Sequence, residues 1–321
     1  MRGLPVTEKR TNPQTQLSTM PKKLVILLSR QRSGTNALRS VLESHPKIHC
    51  FFEIMSYADK DLQRKESFIS YAKNQCGDRY DDPDNHLRIF QEFVHVLHGM
   101  HDKEITVIDL KYNSTHHVSA RWAELHERPI FNWFQANDVP VIRLRRNNYL
   151  KVLLSDQIAC MRQKWHDTED GGKPEVLNAV VPNAAGDMEY LVHRIKSLQL
   201  EDGLIDATFG NYDHLCQIAY SDMFPELGCS LNEQVLQKVS EFLGIEYDFN
   251  AKPWSSKSVP RPLWEVITNW QQVSNTLRGT EFEHFLADEP MFQNGQFKDS
   301  SAKPSIAFST AADLLAKVSN R

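Results

Sequence analysis

The sequence predicts an α/β fold in which an open, mostly parallel sheet carries helices on both of its faces. Buried apolar runs at 24–28, 105–113 and 141–144 alternate with segments of helical apolar spacing, and basic turns follow two of these runs. Runs that are apolar on both faces are typical of parallel strands covered by helices. Ligands bind such sheets outside the carboxyl ends of the strands, so the polar side chains there form the candidate site.

One domain is predicted over residues 21–294, because no marked linker interrupts this part of the chain. Residues 1–20 are polar and show no apolar period, so we expect a flexible leader. Residues 295–321 are polar and rich in serine, alanine and lysine, so we expect a tail there.

The first buried run leads into a turn that is suited to bind an anion. Residues 29–36 read SRQRSGTN, and a helix is predicted from Thr35. The first N–H groups of a helix lack partners and lie at the positive end of its dipole, so they bind anions. A basic turn without a ligand is the alternative. The residues that we expect to contact the anion are Arg30, Arg32, Ser33, Gly34, Thr35 and Asn36.

This turn lacks the pattern of an ordinary ATP or GTP site. The Walker A spacing needs a glycine five positions before Gly34 and a lysine after it, whereas Thr35 follows here. An ATP or GTP site of that kind is therefore disfavoured.

A carboxylate interrupts the apolar segment IHCFFEIM at 48–55. The apolar neighbours of Glu53 would partly desolvate its carboxyl group and raise its pKa towards the range of a general base. A surface glutamate at the end of a strand is the alternative. If Glu53 is not the base, then His45, His116 or His117 are the other candidates.

Lys111 ends the run ITVIDLK at the point where ligands bind parallel sheets, although a solvated lysine at a strand end is equally compatible with the sequence.

Earlier in the chain, His95, His98 and His101 recur at intervals of three. No carboxylate or cysteine stands at ligand spacing from them, so no metal site is predicted.

A second basic turn follows the run VIRL at 141–144. Arg145 and Arg146 precede a helix predicted from about Asn148, and Ser155 lies two turns into it. Arginines at a helix start with a nearby serine predict a second phosphate site. We favour Arg146 over Arg145 as the phosphate ligand, and the choice stays open. A nucleic-acid patch or a solvated edge is the alternative.

Composition narrows the class of protein. The chain has 321 residues, a formal net charge of −4 and five cysteines that never form a C-x-x-C pair. The mildly acidic balance does not favour nucleic acid or anionic membranes as partners. Because no apolar run reaches about 18 residues and the N-terminus has no apolar signal core, we expect no membrane segment and a cytoplasmic protein.

Several segments resemble the sulfotransferases that use 3′-phosphoadenylyl sulfate (PAPS). The R-S-G-T pattern, followed by a helix and by S-H-P, looks like their 5′-phosphosulfate loop, and the arginines before Ser155 look like their 3′-phosphate motif. F-L-G-I near 242–245, and the order of P-R-P-L, E-V-I-x-N-W and G-T over 260–280, are similar to bacterial glycan sulfotransferases. The resemblance covers about residues 21–290 and implies a sulfotransferase-type P-loop fold.

The resemblance also implies a reaction, in which a sulfuryl group passes from PAPS to a hydroxyl of a saccharide or glycolipid. The products are a sulfate ester and adenosine 3′,5′-bisphosphate (PAP), and no metal is required. A P-loop kinase that uses ATP and a non-catalytic nucleotide-binding protein are the alternatives.

Roles for individual residues follow from the same resemblance. Glu53 would take the acceptor proton, Lys111 would neutralise the sulfuryl oxygens, and Arg32 would stabilise the leaving phosphate. Ser155 with one of the two arginines before it would hold the 3′-phosphate. Lys257 and Arg261 would close over the phosphates of the nucleotide.

Overall fold

The computed structural model describes residues 22–56, 59–76, 83–118, 128–162, 180–181, 187–224, 230–250, 253 and 262–287. The expected leader and tail lie outside the described residues, as do Lys257 and Arg261. None of the helices in these ranges has the length and apolar character that crossing a bilayer requires.

Five parallel strands form one sheet in the order β2-β3-β1-β4-β5. The central strand β1 pairs with β3 from Lys23 opposite Ile105 to Ser29 opposite Lys111, so both strands end at the same level. The predicted fold class is therefore confirmed. The strands are β1 Lys23–Ser29, β2 Ile48–Phe51, β3 Ile105–Lys111, β4 Val141–Arg145 and β5 Leu215–Ala219.

Helices cover both faces of the sheet. Among the described residues, 3₁₀ helices accompany them at Tyr112–Val118 and Glu283–Leu286. The α-helices are α1 Thr35–Leu42, α2 Asp59–Leu62, α3 Phe68–Cys76, α4 Pro83–Gly99, α5 Pro129–Ala136, α6 Tyr149–Arg162, α7 Met188–Phe209, α8 Tyr220–Met223, α9 Glu233–Leu243, α10 Leu263–Val266 and α11 Trp270–Leu277.

Alternation along β1 divides the interior into two cores. Leu24, Ile26 and Leu28 pack against α3, α4, α5 and the end of α7, whereas Val25 and Leu27 pack against α1 and α9. Successive side chains of a strand point to opposite faces, so a wholly apolar strand requires helices on both sides. Full burial of one such aliphatic side chain contributes about 1.5–3 kcal/mol, and this burial fixes the strands that carry the site.

Helix α7 joins the sheet to a third core. Its first half packs with α6, α10 and α11, and its second half, through Ile205 and Phe209, belongs to the core under β1. The sequence predicts that this helix ends near residue 201, but it continues to Phe209. Its acidic side chains pair with Arg30, which follows β1, and with Arg143 of β4. This position brings carboxylates beside the basic turns.

Two further predictions of elements differ from the structure. The segment at 48–55 contains a fifth strand, β2, which a four-residue apolar run does not distinguish from a loop. The run HLCQIAYSDMF at 214–224 predicts a fourth strand that ends in Tyr220 and Asp222, which is wrong in its second half, because the pairing with β4 stops at Ala219 opposite Arg145. Beyond that point the chain turns into α8, which begins at Tyr220.

Candidate active site

The turn between β1 and α1 contains two residues with left-handed backbone, Arg32 with a φ of 65° and Gly34 with a φ of 86°. A Cβ on Gly34 would lie 2.7 Å from Cε2 of Tyr220, so a larger residue would have to displace that ring. Helix α1 starts at Thr35, and the N–H of Ala37 donates to the Gly34 carbonyl at 3.1 Å. The turn therefore lies at the positive end of the α1 dipole.

Lys111 lies at the centre of a buried polar cluster beside this turn. Its side chain is 3% exposed, and its Nζ donates to Asp109 Oδ1 at 2.7 Å, Thr35 Oγ1 at 2.6 Å and Ser29 Oγ at 3.1 Å. The carboxylate of Glu53 lies slightly farther away, with Oε1 at 3.5 Å from Nζ. An ammonium group has three N–H donors, so these three hydrogen bonds use all of them.

The register of the sheet builds this cluster. Ser29 is paired with Lys111 at the ends of two adjacent strands, so their side chains emerge on the same face. Asp109 precedes Lys111 by two positions on β3 and therefore shares that face. Thr35 comes from the first turn of α1, directly above the end of β1.

Glu53 follows the edge strand β2, and its side chain is 26% exposed. Burial raises the pKa of its carboxyl group, the Lys111 ammonium lowers that pKa, and the Asp109 carboxylate raises it again, so the net shift is upward. Arg64 fixes the backbone here, because its Nη2 donates to the Glu53 carbonyl at 3.3 Å. A half-buried carboxyl group with a raised pKa is suited to accept a proton near neutral pH.

The second basic turn touches the first. Nε of Arg32 donates to Oγ of Ser155 on α6 at 3.0 Å, and Nη1 of Arg146 donates to the carbonyl of Arg32 at 3.2 Å. The guanidinium of Arg146 also lies over the Tyr220 ring, 4.5 Å from its centroid. The same ring closes against Gly34. The two anion turns predicted from the sequence are thus adjacent parts of one basic surface.

Arg145 lies instead among carboxylates of α7. Its Nη1 donates to Asp206 Oδ2 at 3.2 Å, its Nε lies 3.5 Å from Asp202 Oδ2, and its Nη2 is 3.3 Å from the hydroxyl of Tyr149. The fully buried Arg143 pairs with the same two aspartates. These two guanidinium groups neutralise the acidic side of α7.

Arg30 has a similar partner. It donates a hydrogen bond to Glu201 of α7, and its guanidinium lies 5.3 Å from the centroid of the Tyr112 ring. The structure therefore places two of the predicted anion ligands, Arg30 and Arg145, in ion pairs with α7. It brings Arg32 into direct contact with both Ser155 and Arg146.

Two further residues of the first turn, Ser33 and Asn36, lie at the start of α1. Ser33 is buried in the turn, and Asn36 is the second residue of α1.

His45, an alternative base in the sequence, has Nε2 3.0 Å from the carbonyl of Glu246, and its Nδ1 accepts from the N–H of Lys47 at 3.1 Å. Both ring nitrogens of His45 are therefore bonded to backbone.

His116 and His117 lie in the 3₁₀ helix that follows Lys111, with ring centroids 3.7 Å apart. Nδ1 of His116 is 2.9 Å from the carbonyl of Asn113.

Burial lowers the pKa of both His98 and His101 to about 4. Within the described ranges, no group of three or more histidine, cysteine, aspartate or glutamate side chains is placed to hold a metal ion.

Sequence reasoning missed two parts of the site. Asp109 is the only charged residue within the otherwise apolar stretch before Lys111, and this position was the available signal. The three α7 carboxylates could not be assigned from sequence, because an acidic helix face is ordinarily solvated. They are Glu201, Asp202 and Asp206.

Comparison with protein-family models gives no match, and comparison with curated proteins gives none either. Among solved structures, the chain is similar to the sulfotransferase domain of the olefin synthase from Synechococcus PCC 7002. The identity is 15% and the TM-score 0.36, over 86% of this chain and 99% of that domain. Likeness at this level indicates no function, so the chemistry of the site rests on its own geometry.

Proposed function

We propose that the chain is a sulfotransferase that moves a sulfuryl group from PAPS to a hydroxyl acceptor. The contact between the two basic turns carries this proposal, because Arg32 bonds Ser155 and Arg146 bonds the backbone of Arg32. Cationic side chains beside a helix N-terminus favour anionic ligands, and two adjacent turns of this kind suit a ligand with two separate anionic groups. PAPS has a 5′-phosphosulfate and a 3′-phosphate on one nucleoside.

The 5′-phosphosulfate is assigned to the first turn, where Arg32, the residues from Ser33 to Asn36 and the α1 N-terminus surround it. The 3′-phosphate is assigned to Arg146 and Ser155. Arg146 is preferred to Arg145, because the guanidinium of Arg145 already bonds two aspartates of α7. An arginine that carboxylates neutralise gains less from a phosphate, since its charge is already compensated.

In the proposed reaction, the acceptor hydroxyl oxygen attacks the sulfur atom and forms a new O–S bond. The bond between sulfur and the bridging oxygen of the 5′-phosphate breaks, and its electron pair stays on that oxygen as PAP leaves. Arg32 stabilises the charge that develops there, the positive charge of Lys111 attracts the sulfuryl oxygens while its three hydrogen bonds stay in place, and Glu53 takes the acceptor proton. The acceptor class, a saccharide or glycolipid, rests on the sequence resemblance.

The position of Lys111 favours this reaction over that of a P-loop kinase. Its Nζ lies among oxygen atoms of Ser29, Thr35 and Asp109, which are ligands of the kind that magnesium takes beside nucleotide phosphates. The ammonium group fills that place with a positive charge of the protein's own. A kinase would need a divalent cation at this point.

The direct test is transfer from ³⁵S-labelled PAPS to glycan and glycolipid fractions of a host-cell extract, with the protein and with Glu53→Gln. Loss of the general base should lower turnover about 10²–10⁴-fold, while the affinity for PAP changes little. Glu104→Gln, which removes an exposed carboxylate, should leave the rate unchanged.

Three results would revise or contradict the proposal. A near-normal rate in Glu53→Gln would move the base to another residue, with His116 and His117 as the next candidates. A thermal-shift assay in which ATP with magnesium stabilises the protein and PAP does not would favour a kinase. PAP binding without transfer to any acceptor would favour a non-catalytic nucleotide-binding protein.

A further inference from the structure

Asp109 occupies an unusual position for a carboxylate. It lies inside strand β3, 1% exposed, with apolar residues on either side in the sequence. Oδ1 accepts from Lys111, whereas Oδ2 is buried and has no hydrogen-bond partner among the residues that the structure describes. A buried carboxylate with one oxygen unpaired costs free energy that an apolar residue at this position would not cost.

The charges around Lys111 do not balance. One ammonium group faces two carboxylates, Asp109 at 2.7 Å and Glu53 at 3.5 Å. The shorter distance belongs to Asp109, which does not face the solvent. The fixed partner of Lys111 is therefore Asp109, and Glu53 is the second, weaker partner.

We propose that Asp109 is a positioning residue for the base: it holds the Lys111 ammonium so that the interaction of Lys111 with Glu53 stays long and weak and does not neutralise Glu53. This inference rests on the proposed function, in which Glu53 takes the acceptor proton. It explains why a strand that is otherwise apolar carries a charge at this position.

Hydrogen-bond geometry supports this role. The three donors of Lys111 are directed to Asp109, Thr35 and Ser29, so Glu53 at 3.5 Å receives an electrostatic attraction without a short hydrogen bond. Without the Asp109 charge, the ammonium would have Glu53 as its one remaining carboxylate in this cluster. A carboxylate that accepts a charge-assisted hydrogen bond is a weaker base.

The other charged groups near Glu53 come from α1 and from α2 and the residues after it. Arg39 of α1 lies over the Phe52 ring at 4.1 Å, and Nη2 of Arg64 bonds the Glu53 backbone carbonyl rather than its carboxylate. Asp61 also raises the pKa of Glu53, but less than Asp109 does. Asp61 accepts from Ser56 at 2.6 Å and lies 3.6 Å from Arg64, so its charge is compensated locally.

Asp109 also balances the cluster after proton transfer. With Lys111, Asp109 and Glu53 charged, this group of three side chains has a net charge of −1 beside the Arg39 guanidinium, whose charge also interacts with Asp109, and it becomes neutral when Glu53 is protonated. Without Asp109 the same step would take it from neutral to +1. Lys111 can therefore stay protonated and face the sulfuryl oxygens while Glu53 holds the acceptor proton.

The test is Asp109→Asn, which keeps the size and the Oδ1 acceptor but removes the charge. The pKa of Glu53 is followed by ¹³C NMR of glutamate Cδ, with the resonance assigned from Glu53→Gln. We expect this pKa to fall by about one unit, the acidic limb of the kcat/KM profile to move down with it, and kcat near neutral pH to fall about tenfold. Asp61→Asn, the matched control, should shift the pKa of Glu53 less.

An unchanged pKa of Glu53 in Asp109→Asn, or a shift no larger than that of the control, would overturn the role of Asp109. If Asp109→Asn does not fold by circular dichroism, Asp109→Ser gives the same readout with a smaller side chain. The NMR titration needs neither donor nor acceptor. If the unsubstituted protein transfers no sulfuryl group but Asp109→Asn shows the expected shift in the pKa of Glu53, the proposed function is wrong and the role of Asp109 is not. If the protein is active and the pKa does not shift, only the role of Asp109 is wrong.

Discussion

Two ionic clusters with buried members lie near the carboxyl ends of the strands, and they differ in charge balance. In the first, which we name the α7 cluster, three guanidinium groups pair with three carboxylates. Its members are Arg30, Arg143, Arg145, Glu201, Asp202 and Asp206. In the second, the Lys111 cluster, one ammonium group serves both Asp109 and Glu53.

The difference separates a structural role from a chemical one. A balanced and hydrogen-bonded set of buried charges fixes the position of a helix on a sheet, and here it anchors α7. An excess negative charge makes the protonated form of one carboxyl group easier to reach, which is what a general base requires. The raised pKa of Glu53 agrees with this second role.

The largest expected effect comes from breaking the balanced cluster with Arg143→Met. This change leaves the buried Asp202 without one of its cationic partners and should lower the free energy of unfolding by about 3–5 kcal/mol. Urea denaturation measures it. Arg88→Met, at the exposed pair of Arg88 with Glu92, should cost less than about 1 kcal/mol. Equal costs for the two variants would show that the α7 cluster does not anchor the helix.

An intermediate effect, on PAP affinity, should distinguish Arg145 inside the α7 cluster from Arg146 beside it. Arg146→Ala should weaken PAP binding about 10–100-fold, which corresponds to one lost charged hydrogen bond, and should weaken adenosine 5′-phosphosulfate binding less. Arg145→Ala should change PAP affinity less than about threefold, because its guanidinium bonds aspartates. Calorimetry measures both affinities, and a greater loss in Arg145→Ala would reverse the assignment.

The smallest effect concerns the pH dependence of stability. The pKa of Glu53 is raised above its unfolded value of 4.5, so the folded protein retains this proton longer than the unfolded chain, and stability falls as pH rises above about 4.5. The Glu53→Gln variant does not lose stability in this way, because glutamine has no carboxyl group to ionise. Its urea midpoint should therefore improve, relative to that of the unsubstituted protein, as pH is raised from about 4.5 to 7.

This measurement has to be made as a difference between the two proteins. His98 and His101 have pKa values lowered to about 4, below their unfolded value of 6.5, so their contribution to stability is lost as pH falls from 6.5 towards 4. That trend is opposite in sign and common to both proteins. A constant difference in midpoint over the whole range would contradict the raised pKa of Glu53.

The sequence alone is sufficient for the parts of the site that depend on local pattern. The β1–α1 turn and the end of β3 could be predicted, because a long apolar strand followed by Gly34 and a helix start, or by Lys111, is visible in a single segment. The short strand β2 could not, since four residues, three of them apolar and one a histidine, have no distinctive period. The separation of Arg145 from Arg146 could not either, because it depends on carboxylates some 60 positions later in the chain.

The ring of Tyr220 links the two basic turns mechanically. The ring edge fills the space that a side chain at position 34 would need in the first turn. The guanidinium of Arg146, from the second turn, lies over the same ring. If this ring shifted, the space beside Gly34 in the first turn and the position of the Arg146 guanidinium in the second turn would change together. The spacing between the two cationic centres is thus set by a single rigid aromatic group on α8, outside both turns.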